Sequence, residues 1–190
     1  MTFYSVGRLD EFTVHAIKSF DPAKHITRVH ISEAQDQQGL PVTIFHIPCM
    51  KASPLTGEDA FWSEQDGLSD PKAALTNHFS INDPAPSAHL FTWKHPNGPQ
   101  PLSKKELMAH VLSISLSVNL PNLKGHSLHI RGTLMYLLRG IPFDVVKSMG
   151  HWSSKAFTIY LHQHAIILAP YIQATPILEP FTRYTMPLVC

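Results

Sequence analysis

The chain is short of the features that mark secreted and membrane-spanning proteins. Its 190 residues hold only two cysteines, Cys49 and Cys190. That is too few for a disulfide framework and suits a reducing compartment. No apolar run reaches bilayer-crossing length, and the opening MTFYSVGRLDEF has no basic flank ahead of an apolar stretch. Both points argue against secretion or a membrane span and for an intracellular protein. An excess of charge is missing as well, since Lys+Arg 15 against Asp+Glu 14 leaves a formal charge of +1. Composition alone therefore makes no case for nucleic acid, where affinity comes largely from phosphate neutralisation. There is no internal repeat and no low-complexity tract. What is present is 44% hydrophobic residues, enough for one core, and thirteen histidines that are scattered rather than clustered.

Local signals predict the elements. An amphipathic segment over 7–17 places Arg8, Glu11 and Phe12 at helical spacing. The β-branched runs 26–32 and 41–47, separated by the turn-prone 36–39, read as two antiparallel strands. Asp70-Pro71 is an N-cap followed by proline at the first helical position, so a helix runs from 71 to about 79. Five prolines and Gly98 make 82–101 mostly loop, with a short strand at 89–93. Ser103-Lys-Lys-Glu106 has capping-box spacing and opens a helix to about 118. Another helix spans about 127–139 and stops at Gly140. A short one covers 141–150. Ser153 or Ser154 caps a further helix carrying Phe157, Tyr160, Leu161 and His164 on one face, before a last apolar helix over 165–172. The expected class is α+β: a mainly helical domain, residues 1–173, with a small antiparallel sheet near its N-terminus. Residues 174–190 are a proline-interrupted, irregular tail.

The stretch GHSLHIRGTLMYLLRGIPFDVVKSMGHWSSKAFTIY, 125–160, carries the most chemistry. It places a histidine at the start of a helix, Met-Gly-His-Trp at the end of the next, and Tyr160 nine residues past His151. His126 beside Gly125 is set where first-turn N–H groups face an anion. Together His126, His151 and Tyr160 form a set that can gather around one phosphate. A tyrosine hydroxyl, with an ordinary pKa near ~10, becomes a nucleophile only beside cations and a base. Arg8 lies in Gly7-Arg8-Leu9-Asp10-Glu11, and a guanidinium donates two parallel hydrogen bonds to phosphate oxygens. Taken singly, each residue has a plainer reading: Tyr160 as helix packing, Arg8 and Glu11 as a surface pair, Lys51 as a solvated loop cation. His162 and His164 point to different sides of a helix, so no metal site is expected.

The order and spacing of these residues resemble the catalytic domain of the tyrosine recombinases, the phage-integrase family, over nearly the whole chain. Phrases such as LPVTIFHIP, LRGIPFDV and HAIILAPYIQ are similar to recombinase-like domains of mobile elements in eukaryotic, particularly fungal, genomes. The resemblance implies metal- and cofactor-independent breakage and rejoining of double-stranded DNA through a 3′-phosphotyrosyl intermediate. It casts Tyr160 as nucleophile and Arg8 as phosphate clamp. Lys51, after the second strand, becomes the acid for the leaving 5′ oxygen. His126 becomes a proton shuttle, and His151 a hydrogen-bond donor to a non-bridging oxygen. It also implies assembly as a homo-oligomer on DNA, and a nuclear location in a eukaryote.

Two departures qualify that picture. The family's His-x-x-Arg reads His126-Ser-Leu-His129 here, so His129 is a degenerate catalytic position. Arg131 is turned about 200° from it and cannot take its place. Losing one preorganised oxyanion donor costs about 10²–10³ in rate. Only seven residues precede Arg8, so the expectation is a truncated domain without the clamp that closes over DNA, and impaired. The rival expectation is a non-catalytic DNA-binding or interaction remnant.

Overall fold

The computed structural model describes residues 1–51, 53–120, 123–152 and Ala169. The helix expected to carry Tyr160, with His162 and His164, the last apolar helix apart from Ala169, and the tail 174–190 all lie outside the described residues. A three-stranded antiparallel sheet is formed by β1 (Ile31–Gln35), β2 (Pro41–Ile47) and β3 (Glu58–Trp62), with β2 in the middle. Helix α1 (Pro71–Asn82) follows, then a hairpin of β4 (Thr92–His95) and β5 (Gly98–Pro101). Helices α2 (Lys104–Ser117), α3 (Gly125–Leu138) and α4 (Phe143–Met149) complete the described chain. The class is α+β, with the larger sheet towards the N-terminus.

Elements with strong local signals form where they are expected. β2 occupies its predicted span and alternates, burying Phe45 and Ile47. The Asp70 carboxylate accepts from the backbone N–H groups of Lys72 and Ala73 at the start of α1. Ser103 and Glu106 close a reciprocal capping box on α2. Gly140, at φ 78, ends α3 by donating its N–H to the Leu137 carbonyl.

Elsewhere, long-range pairing overrides the local pattern. The amphipathic segment 7–17 makes only a 3₁₀ turn, Leu9–Glu11, because Val14 bonds across to Leu102 and Lys104 through both its backbone groups. The first strand starts at Ile31 rather than 26. Ile26 and Thr27 pair instead with the segment around His89 and Leu90, and Arg28–His30 is a 3₁₀ turn. β3 is an element the local signals did not predict. It packs Ala60 beneath Phe45 and Trp62 beside Thr43. The 89–93 strand is displaced to Thr92–His95 by the tight turn before Gly98, φ 96. Pro99 and Pro101 fit β5 because a two-stranded ribbon leaves one side of each strand unpaired.

The core joins Phe45, Ile47, Ala60 and Trp62 of the sheet to Tyr4, Phe12, Ile26, Met50 and Leu90. Helix α3 closes over the first residues along one stripe. Gly125 sits against Leu9, His129 against the backbone of Val6 and Gly7, and Gly132 under the Phe3 carbonyl. The Tyr136 hydroxyl donates to the Tyr4 carbonyl oxygen at 2.7 Å. Positions 125, 129, 132 and 136 recur at helical spacing, so a single face of α3 is spent on this antiparallel contact. Among the described residues no helix is long and apolar enough to cross a membrane.

Candidate active site around Arg8, His126, His129 and His151

Four of the residues singled out in the sequence are brought together. Arg8 precedes the 3₁₀ turn, and its backbone N–H donates to a Glu11 carboxylate oxygen at 2.7 Å. That loop-back makes the Arg8–Glu11 box a rigid corner rather than a surface ion pair. Burial pushes the Glu11 carboxyl up to about 7. The Arg8 hydrogen bond and charge pull it down, while Glu58 and Asp10 add to the rise.

His126 and His129 share a face of α3 with ring centroids 5.7 Å apart and an interplanar angle of 28°. His126 is exposed and His129 is 2% exposed. His129 also meets the Trp152 ring at 4.8 Å. His129 is the buried member of this group of rings. Burial pushes the His129 imidazole down to about 4. Backbone hydrogen bonding at Val6 and Gly7 opposes the shift, and the charges of His126 and Arg8 reinforce it. Its Nδ1 has no hydrogen-bond partner among the described residues. Position 129 therefore carries a neutral ring at pH 7, beside Arg8, where the resemblance calls for a second guanidinium. Arg131 is exposed, off this face, as its register requires.

His151 follows α4 in the left-handed region, φ 51. Its Nδ1 is ion-paired to the Glu58 carboxylate at the start of β3. Its Nε2 is enclosed and has no hydrogen-bond partner among the described residues. Glu58 is the residue sequence reasoning missed. It lies opposite Ile47 at the end of the β2–β3 ladder, and Gly57 fixes the approach. A Cβ on Gly57 would come within 2.1 Å of the Ile47 oxygen, at φ 64. The alternation of Glu58-Asp-Ala-Phe-Trp62 was the available signal. Lys51 lies in the β2–β3 connection, exposed, and no described contact ties it to the histidines. Tyr160 lies outside the described residues. Among those residues no group of three or more His, Cys, Asp or Glu side chains is placed to hold a metal ion.

The sequence matches no family model and no curated protein. The fold is similar to that of recombinase chains solved on DNA junctions. It superposes on the Flpe–Holliday junction complex with a TM-score of 0.53 at 15% identity, covering 87% of this chain and 40% of that one. It superposes on FLP recombinase–Holliday junction complex I with a TM-score of 0.51 at 15% identity, covering 100% and 40%. The chain thus spans 40% of the length of either, and at this identity the likeness is one of fold.

Proposed function

We propose that the chain is a tyrosine-recombinase-like domain that binds double-stranded DNA and acts, or once acted, on its backbone phosphates. The observation that supports this best is the convergence of Arg8, His126 and His151, distant in sequence, around the His129–Trp152 ring pair in a recombinase-like fold. Arg8 holds two phosphate oxygens with its fork. The Tyr160 oxygen attacks phosphorus, and the bond to the 5′ oxygen breaks. Lys51 supplies the proton that the leaving oxygen needs, and His126 takes the proton of the tyrosine hydroxyl. The product is a 3′-phosphotyrosine that a free 5′ hydroxyl reverses, so rejoining needs no outside energy source. Assembly on DNA as a homo-oligomer, an intracellular or nuclear setting and a mobile-element origin belong to the same reading, as does chemistry without a cofactor.

A second reading is a DNA-binding or interaction remnant with little catalysis. The neutral, enclosed His129 favours it, because one guanidinium at the phosphate is then replaced by an uncharged ring. One experiment separates the two: incubation with a nicked duplex, then denaturing electrophoresis of wild type and Tyr160→Phe. An adduct lost in Tyr160→Phe supports the enzyme. Retained DNA binding with no adduct in either protein supports the remnant, and an adduct that survives in Tyr160→Phe removes Tyr160 from its role.

A further inference from the structure

If His151 faces a phosphate, as the recombinase reading has it, the Glu58–His151 pair governs how that phosphate is met. A carboxylate can only accept, so the atom it holds on the imidazole is Nδ1–H. Which ring nitrogen carries the proton is set by the hydrogen bond made at the other. With Nδ1–H committed, a neutral His151 carries a lone pair at Nε2, the enclosed atom with no partner among the described residues. A phosphate oxygen is also an acceptor, so the two do not bond until Nε2 gains a proton.

We propose that Glu58 is a positioning residue that fixes the Nδ1–H form of His151, so that phosphate binding at this site takes up one proton. Three features hold the arrangement in place. Gly57 holds Glu58 at the mouth of the β2–β3 connection, where no side chain other than hydrogen fits. The left-handed backbone at His151 turns the ring back toward β3. Glu58 is only partly exposed, at 32%, and His151 at 13%, so water competes poorly for the pair. Among the described residues, Glu58 and Asp59 from β3 and Asp144 from α4 line one groove with His151, Asp59 being itself paired to His46 at 2.8 Å. Glu11 and Arg8 stand behind, coupled electrostatically to each other and, through Glu11, to Glu58. Carboxylates in the groove repel a phosphate, and the proton gained at Nε2 offsets part of that repulsion.

The test begins on the free protein, where it does not depend on DNA chemistry. ¹⁵N-labelled histidine in the full chain, with the His151 signals assigned by their loss in His151→Gln, distinguishes the two neutral tautomers. Wild type is expected to show the Nδ1–H form. Glu58→Leu should revert to the Nε2–H form preferred by unconstrained imidazole, while Glu58→Gln, which keeps an acceptor oxygen, should retain Nδ1–H. Circular dichroism and a cooperative melt establish that each variant is folded. Should Glu58→Leu unfold, the wild-type spectrum alone decides. A wild-type Nε2–H signal, or no change in a folded Glu58→Leu, overturns the proposal. The second arm measures binding of a short nicked duplex in a Glu11→Gln background, which removes the carboxyl titrating near 7. Affinity should rise as pH falls, by up to about tenfold per pH unit for the uptake of one proton, and this dependence should flatten in Glu58→Leu. An unchanged slope in Glu58→Leu overturns the coupling even where the tautomer behaves as expected. Absence of DNA binding altogether leaves the tautomer result standing and counts against the recombinase reading instead.

Discussion

The carbonyl of Phe3 lies so close over Gly132 that a Cβ at position 132 would stand 2.0 Å from its oxygen. This contact, with the Tyr136 hydroxyl on the Tyr4 carbonyl a turn further on, locks α3 to the first residues of the chain. It brings His129 beside Arg8. Helix propensity favours alanine over glycine by about 1 kcal/mol, yet here the clash is with backbone and cannot be relieved by a rotamer change. Gly132→Ala should destabilise the protein by about 3 kcal/mol, read from urea unfolding. Tyr136→Phe, which removes one hydrogen bond, should cost about 1 kcal/mol. A neutral Gly132→Ala would mean that the N-terminal segment does not pack on α3.

His129 gives the fold an acid-sensitive element. Its folded-state pKa, about 4, is below the ordinary 6.5. Between those values the unfolded chain binds the proton and the folded one does not, so stability is lost as pH falls from about 6.5 toward about 4. His89, buried and likewise near 4, acts in the same sense. His129→Phe should weaken this loss on acidification while changing stability little at pH 8, apart from a packing term of about 1 kcal/mol. The same acid slope in wild type and variant, measured by thermal melts across that window, would place the proton elsewhere.

Glu11 works in the opposite direction. Its folded pKa, about 7, is above the ordinary 4.5. Its contribution is complete below 4.5 and is lost as pH rises through 7. Glu11→Gln keeps an acceptor for the Arg8 N–H without the charge. It should therefore raise stability relative to wild type at pH 8, by on the order of 1 kcal/mol, and give no advantage near pH 5. An advantage that grows on acidification would reverse this assignment.

His129→Arg is expected to cost stability as well as add charge. The larger guanidinium enters a site that is 2% exposed and touches both His126 and Trp152. A stability loss of about 2 kcal/mol is expected. If the proposed chemistry holds, any adduct formed by the remaining folded protein should increase by about tenfold, since the added charge acts on the transition state. A stable variant with no gain in adduct would remove position 129 from the phosphate site.

DNA binding should be weak and should decline only gradually as salt rises, and Arg8→Ala should weaken it at every salt concentration. A formal charge of +1 leaves few phosphate contacts beyond the site itself. Tight binding that ignores a rise in salt from about 50 to about 200 mM would contradict the electrostatic argument.

Capping and alternation were legible wherever the cause lay within a few residues. Asp70-Pro71, the Ser103–Glu106 box, Gly140 and the alternating β2 all act through neighbouring backbone groups, and all stand where the sequence places them. The class α+β followed from the same local order. Tertiary pairing decided the rest. Val14 gave its backbone bonds to Leu102 and Lys104 and so ended the 7–17 helix. Thr27 paired with His89 and pushed β1 along the chain, and β3 existed only because β2 offered it an edge. The same distinction governs the site. The sequence by itself showed that position 129 is histidine rather than arginine, a covalent fact. That the ring is enclosed, neutral and in contact with Trp152, and that Glu58 reaches His151, depends on segments far apart in the chain meeting in space. Burial and hydrogen bonding, which set protonation, are created only by that meeting.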